Sequence, residues 1–124
     1  MVAQQPESSE PQSTAQPPAC CETAEHSLTE QELAADIQRL SALGNDTRYE
    51  ALRLIAAAED GVCVCDLEPG LGVSQGAVSQ ALSRLYAAGL VTRRKEGRWR
   101  YYSATEAAER LLDVLDETRT QSDE

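Results

Sequence analysis

The sequence predicts a mainly α-helical domain that carries a single β-hairpin, which places it in the α+β class. Three observations predict this: apolar residues recur at helical spacing, serine or threonine caps precede those segments, and two β-prone runs flank a charged turn with glycine. The chain has 124 residues, a length that suits one domain and excludes an enzyme with two lobes. It has no run near the ~18 consecutive apolar residues of a membrane helix, so we expect a cytoplasmic protein with no membrane partner.

Residues 1–27 differ in composition from the rest of the chain. They contain four of the five prolines and no basic residue, and such a segment cannot bury enough apolar surface to offset its chain entropy. We therefore expect a disordered arm, which carries Cys20 and Cys21. A folded domain is expected over residues 28–118 and an acidic tail over residues 119–124.

The first predicted helix begins at a capping box. Thr29 and Glu32 have the T-x-x-E spacing in which each side chain caps a backbone N–H group of the other residue. Apolar residues follow at helical spacing, and Gly44 ends the segment. These apolar residues are Leu33, Ile37 and Leu40.

A second helix is predicted from the capping spacing of Thr47 and Glu50 to about Ala58, with Asp46 as an alternative cap. The next apolar segment, residues 62–67, is short and is followed by a Pro-Gly breaker. We interpret it as a short helix.

The following segment has the strongest caps in the chain. Ser74 is a favoured N-cap and Gly89 a favoured stop for a helix that extends to Ala88. Its expected core-facing residues are Val78, Ala81, Leu82 and Leu85. Residues 90–92 and 98–103 are β-prone and flank the charged turn 93–97, which predicts a hairpin. A last helix is predicted over residues 105–118, with an apolar stripe at Ala108, Leu111, Leu112 and Leu115.

Positive charge is concentrated in one part of the chain. The formal net charge is −10, yet residues 84–103 hold six basic residues against one acidic residue, Glu96. Aromatic residues are interleaved with this basic strip, and arginine forks bind phosphate oxygens bidentately. The alternative is an edge hairpin kept charged to prevent aggregation. The acidic excess elsewhere, with ten arginines to one lysine, resembles proteins of halophilic cytoplasm.

The order of short helix, tight turn, capped helix and basic hairpin is that of a winged helix-turn-helix, whose second helix enters the major groove and whose hairpin contacts the flanking backbone. The outward positions of the capped helix are small or carry amides, which suits a groove about 12 Å wide. We therefore predict binding to double-stranded DNA. The candidate contact residues are Ser74, Gln75, Gly76, Ser79, Gln80, Ser83, Arg84, Arg93, Arg94, Lys95, Arg98 and Arg100.

Several motifs are similar to those of the ArsR/SmtB metalloregulators. They are LGNDTR at residues 43–48, CVCDL at 63–67, LGVSQGAVSQAL at 71–82, AGLV at 88–91 and EGRWRYY at 96–102, and the resemblance spans about residues 29–118. It implies a homodimeric repressor that binds operator DNA when free and leaves it when a metal or metalloid binds. It also implies a dimer interface on the first and last helices. The residues concerned are Leu33, Ile37, Leu40, Leu111, Leu112 and Leu115.

The CVCDL box resembles that of the arsenite and cadmium sensors in this family, many of which have a third cysteine where this chain has Glu68. As(III) prefers three thiolates, and residues at i and i+2 of a regular helix diverge by about 200°. As in similar sensors, we expect the arm to complete the site. The expected ligands are Cys20, Cys21 and Cys63, with Cys65 as a competing or fourth ligand. The favoured inducer is As(III) or Sb(III), with Cd(II) or Pb(II) as the alternative, and folding requires none of them.

The sequence bears on two other classes of function. A thiol redox regulator, in which the cysteines oxidise rather than ligate, is the alternative within DNA binding, although cysteines one or two residues apart form strained rings and are not expected to cross-link. An enzyme is not expected, because the chain has no Gly-rich or Cys-x5-Arg phosphate loop, no C-x-x-C motif and a single histidine.

Overall fold

The computed structural model describes residues 22–122. In this part of the chain the elements are α1 (Glu30–Leu43), α2 (Asp46–Ala57), β1 (Val62–Cys63), α3 (Val64–Leu71), α4 (Gln75–Ala87), β2 (Val91–Glu96), β3 (Trp99–Ala104) and α5 (Glu106–Ser122). The predicted α+β class, with a helix-turn-helix formed by α3 and α4 and a wing formed by β2 and β3, is confirmed.

Each of the first two helices begins at a side-chain N-cap. The capping box of α1 is confirmed, since the Thr29 hydroxyl accepts from the Glu32 N–H at 3.0 Å and the Glu32 carboxylate accepts from the Thr29 N–H at 2.9 Å. The expected caps of α2 are wrong: the Asn45 side chain accepts from the Arg48 N–H at 3.0 Å. Asparagine is a stronger N-cap than threonine.

The predicted short helix begins two residues later than expected. Residues 62 and 63 form β1, which pairs with β3 so that Val62 faces Tyr102 and Cys63 faces Tyr101. Pairing with a neighbouring strand favours the β-branched valine, and the helix begins only at Val64. It ends at Gly72, whose φ of +70° lies in the left-handed region that glycine adopts without a Cβ penalty.

The wing is a longer hairpin with a tighter turn than the sequence predicted. The three-stranded antiparallel sheet has the order β1-β3-β2, and β2 includes Arg93, Arg94, Lys95 and Glu96, which we expected in the turn. Only Gly97 and Arg98 connect the two strands, and Gly97 has a φ of +62°. Two-residue turns need such positive φ values.

The core lies between the helix-turn-helix, α2, α5 and the sheet. The four predicted core residues of α4 are buried as expected, and three of them, Val78, Leu82 and Leu85, belong to a core cluster with residues of α2, the sheet and α5. The largest fully buried side chains are Leu52, Ile55, Leu67, Leu82, Leu85, Leu90, Val78 and Val91. The last helix continues to Ser122, past the expected end at Thr118, and its final turns include an ion pair of 3.0 Å between Asp116 and Arg119.

Candidate DNA-binding surface and thiol site

Helix α4 presents a polar outer face. All seven of its predicted contact residues are exposed: Ser74, Gln75, Gly76, Ser79, Gln80, Ser83 and Arg84. The Ser74 hydroxyl also accepts from the Ala77 N–H at 3.1 Å and so caps the helix. No large side chain on this face prevents the helix from entering a DNA groove. Gln75 and Gln80 offer amides that can pair with adenine edges.

An open groove of about 540 Å³ lies between α4 and the beginning of α2. Its polar lining joins Gln80, Ser83 and Arg84 of α4 to Asn45, Thr47 and Arg48. Arg48 is already used within the protein, because its guanidinium donates to the carbonyls of Ala42 at 2.8 Å and Ser41 at 3.2 Å and so satisfies the end of α1. Thr47 lines this groove beside α4. Sequence reasoning did not include it among the candidate contact residues, although the LGNDTR motif contains it.

The wing has one face of unpaired cations. Because directly opposite residues of an antiparallel pair share a face, Lys95 and Arg100, which face each other, lie on the same side as Arg93. No acidic residue of the wing, which the structure describes in full, lies on that side, since Glu96 pairs with Trp99 on the other. Like charges placed opposite each other are destabilising, so this face favours an anion such as DNA phosphate.

Arg93 also connects the wing to α4. Its guanidinium lies 4.0 Å from the ring centroid of Tyr86, in the last part of α4. This cation–π contact fixes the cationic face relative to α4. Arg98 is exposed at the turn.

Arg94 differs from the other wing cations. It lies on the opposite face, where its guanidinium donates to the Glu96 carboxylate at 2.8 Å and to the Asp60 carbonyl at 2.9 Å. The hydrogen bond to Glu96 raises the pKa of Arg94 above its ordinary value. Although the side chain is exposed, its charge is partnered within the protein.

The structure brings Cys63 and Cys65 together at the beginning of α3, the first helix of the helix-turn-helix. Their sulfurs and a carboxylate oxygen of Asp66 lie within 4.8 Å of one another, and the two cysteines are joined as a disulfide. The expectation that this pair does not cross-link is therefore wrong. Because Cys63 is extended, with φ of −92° and ψ of 163°, the divergence of about 200° that we expected for a regular helix does not apply either, and the two sulfurs can meet. Cys63 is buried, whereas Cys65 and Asp66 are exposed. Cys20 and Cys21 lie outside the described residues.

The predicted interface helices expose an apolar face, with one correction. Leu33, Ile37 and Leu40 of α1 are 38%, 61% and 62% exposed, and Val114 and Leu115 of α5 are 53% and 40% exposed. Leu112 is only 4% exposed and belongs to the core of the single chain, while Leu111 is partly buried. The 100° step of a helix separates Leu112 from this face and places Val114 on it.

Helix α5 is attached to the helix-turn-helix domain by a polar contact. Arg53 of α2 donates to both carboxylate oxygens of Asp116, at 2.8 and 3.3 Å, and to the Tyr49 hydroxyl at 2.8 Å. The bond from Arg53 is the main cause that lowers the pKa of Asp116, with a smaller contribution from Arg119.

None of the helices in residues 22–122 combines the length and the apolar composition that a membrane-spanning helix needs.

Comparison with known proteins agrees with this architecture. Residues 45–93 match the model of the family described as bacterial regulatory protein, arsR family. The chain is 65% identical to the putative arsenical resistance operon repressor ArsR2 of Halobacterium salinarum, over 82% of this chain and 84% of that protein. It is 48% identical to the putative arsenical resistance operon repressor ArsR of the same organism, over 70% and 67%.

Among solved structures, the fold is similar to that of the homodimeric winged helix-turn-helix DNA-binding domain of Mb0332 from Mycobacterium bovis. The TM-score is 0.68 at 24% identity, over 77% of this chain and 90% of that one. The chain belongs to the arsR family of bacterial regulatory proteins, which are DNA-binding transcriptional regulators rather than enzymes.

Proposed function

We propose that this chain is a homodimeric repressor that binds operator DNA and releases it when As(III) or Sb(III) binds its cysteine thiolates. The observation that carries the proposal is the convergence of Cys63 and Cys65 at the start of α3. The names of the two relatives from Halobacterium salinarum, both arsenical resistance operon repressors, support the inducer class.

The DNA surface in this proposal combines α4 with the cationic face of the wing. Gln75 and Gln80 read base edges in the major groove, while Arg93, Lys95 and Arg100 contact the phosphate backbone. Arg84, in the last turn of α4, and Arg98, in the turn of the wing, extend the positive surface. Arg94 is partnered by Glu96 and the Asp60 carbonyl, which removes support for its expected role as a phosphate contact.

The ligand site uses the reduced thiols, which a cytoplasmic location favours. Each thiol that bonds to As(OH)₃ releases its proton and displaces one hydroxide, and the proton and the hydroxide leave together as water. Cys63 and Cys65 supply two ligands, and the arm supplies a third from Cys20 or Cys21. Eight residues separate Cys21 from α1, and such a segment spans roughly 15 Å as a random coil.

Ligand binding alters the DNA surface because the ligands lie at the first turn of the helix-turn-helix. Cys65 is the second residue of α3, and α3 packs directly on α4. A dimer must present its two recognition helices to half-sites about 34 Å apart. A small rotation of α3 therefore changes the match of both helices to the operator.

The dimer in this proposal forms through the exposed apolar face of α1 and α5. Ile37, Leu40 and Val114 are each more than half exposed in the single chain. Because a two-fold axis through this face pairs the same surface of both subunits, these side chains are buried in both copies. The remaining members of the face are Leu33 and Leu115.

Two alternatives each have an observation in their favour. The carboxylate of Asp66 beside the two sulfurs offers an oxygen donor that suits Cd(II) or Pb(II) better than As(III). The disulfide between Cys63 and Cys65 favours a thiol redox regulator. Peroxide, cadmium and arsenite titrations of the same operator complex distinguish these inducers.

The test is an operator titration with arsenite on reduced protein, using the DNA upstream of the gene that encodes the chain. We expect arsenite to release the wild-type protein, and we expect Cys63→Ser to bind the operator but to remain bound. Glu68→Ala, which changes another residue of α3 and retains both thiols, is the matched control and should respond as the wild type does. Wild-type protein that stays bound, or Cys63→Ser that is released equally, would contradict the proposal.

A further inference from the structure

One row of side chains crosses the sheet from the thiol site to the wing. The register places Cys63 of β1 opposite Tyr101 of β3, and Tyr101 opposite Arg94 of β2. Directly opposite residues project to the same face, so these three side chains form a continuous row. The Arg94 guanidinium lies 5.2 Å from the centroid of the Tyr101 ring.

Arg94 also contacts the segment before β1, and this contact and the row together form a closed loop of interactions. Its guanidinium donates to the Asp60 carbonyl at 2.9 Å, and Asp60 is three residues before Cys63. The same guanidinium is oriented by Glu96, which accepts at 2.8 Å. Two independent connections, the strand pairing and the Arg94 side chain, therefore link the residues around Cys63 to β2.

The packing inside this closed loop of interactions is tight at Gly61. Gly61 has a φ of +98°, and a Cβ at that position would lie 3.1 Å from the Tyr102 carbonyl oxygen and 3.2 Å from a terminal nitrogen of Arg94. There is therefore no room for a side chain between Gly61 and the wing. A displacement of residues 61–63 toward the wing would consequently move Arg94 and β3 with it.

The position of Arg94 on β2 gives this displacement a consequence at the DNA surface. Its two neighbours, Arg93 and Lys95, project to the opposite, cationic face. A shift of the backbone at Arg94 thus changes where both cations meet the phosphates.

We propose that Arg94 is a positioning residue that transmits ligand binding at Cys63 to the wing, in place of the phosphate contact that the sequence predicted. The inference rests on the proposed function, because it takes Cys63 as a ligand of the inducer. It assigns the allosteric connection to the sheet, in addition to the direct path from α3 to α4.

The test compares Arg94→Gln and Arg94→Lys with the neighbouring Arg93→Gln. Glutamine removes the charge and the fork, whereas lysine keeps the charge but cannot hold the Asp60 carbonyl and Glu96 in a planar fork. Three readouts are needed for each protein: arsenite binding from sulfur-to-arsenic absorption, operator affinity with and without arsenite, and the emission of Trp99. Trp99 is the single tryptophan of the chain, and it lies on β3 with 51% exposure.

We expect both Arg94 variants to bind arsenite, and to bind operator within about twofold of wild type, as no phosphate contact is lost. We expect the factor by which arsenite weakens operator binding, which is typically 5- to 150-fold in allosteric coupling, to fall at least about threefold in both variants, with the remainder carried by the path from α3 to α4. Arg93→Gln should do the reverse, weakening operator binding while retaining the coupling factor. An Arg94 variant that keeps full coupling, or that loses operator affinity as Arg93→Gln does, overturns the inference.

The Trp99 signal separates this inference from the proposed function. In DNA-free protein, arsenite should change the Trp99 emission of wild type and leave that of both Arg94 variants unchanged. If arsenite fails to release wild type from the operator, the proposed function fails, yet this difference in emission still supports a connection from Cys63 to the wing. Equal emission changes in wild type and both variants overturn the role of Arg94, whether or not release occurs.

Discussion

The apolar face of α1 gives the most quantitative prediction. Full burial of a leucine or isoleucine side chain stabilises by about 1.5–3 kcal/mol. Ile37 and Leu40 are 61% and 62% exposed in the single chain, so each has about 1–2 kcal/mol still to gain on association. A two-fold axis doubles the effect of any substitution, because both copies carry it.

Ile37→Ser should therefore weaken the dimer by about 2–4 kcal/mol, which raises the dimer Kd by about 30- to 1,000-fold. Sedimentation equilibrium over a concentration series measures this change directly. Asp36→Ser alters the preceding exposed residue of the same helix and removes no apolar surface, so it serves as the matched control. Equal dimer Kd values for Ile37→Ser and wild type would refute the assignment of this face as the interface.

Three further predictions test other parts of the account. Lys95→Gln should reduce the magnitude of the negative slope of log operator affinity against log salt concentration by about 0.9 if its ammonium neutralises one phosphate; titrations in a potassium chloride series measure the slope, and an unchanged value contradicts the contact. Arg53 holds the pKa of Asp116 below its ordinary value, so the stabilisation that this pair provides should be present above pH of about 3.9 and be lost as the pH falls through the lowered pKa. Urea unfolding of wild type and Asp116→Asn should accordingly differ near neutral pH and converge only in acid; a difference that does not change with pH argues against the pair. X-ray absorption of arsenite-bound protein should count one sulfur ligand fewer after joint substitution of Cys20 and Cys21 by serine, and an unchanged count rejects the contribution of the arm.

The helices could be predicted from the sequence because their signals are local. The capping box at Thr29 and the caps at Ser74 and Gly89 are read from neighbouring residues, and the 100° periodicity identified the buried face of α4. The cap of α2 was assigned to the wrong residue because several good capping residues stand side by side, and only the backbone selects Asn45.

The thiol site and the wing depended on contacts between distant parts of the chain. Cys63 is extended because β1 pairs with Tyr101 and Tyr102, about 40 residues later, and no local pattern contains that information. The internal partner of Arg94 could not be predicted for the same reason, since Asp60, whose carbonyl accepts from its guanidinium, lies 34 residues away. Sequence reasoning located the cations in the hairpin but could not assign them to its two faces without the strand register.

The most direct test of the account measures the affinity of arsenite for the reduced protein, once free and once bound to operator. If the thiol site controls DNA binding, linkage requires the operator to weaken arsenite binding by the same factor by which arsenite weakens operator binding. We predict equal factors of about 5- to 150-fold, which vanish in Cys63→Ser. Identical arsenite affinities in the free and operator-bound protein would contradict the central claim that ligand binding at Cys63 and Cys65 releases the DNA.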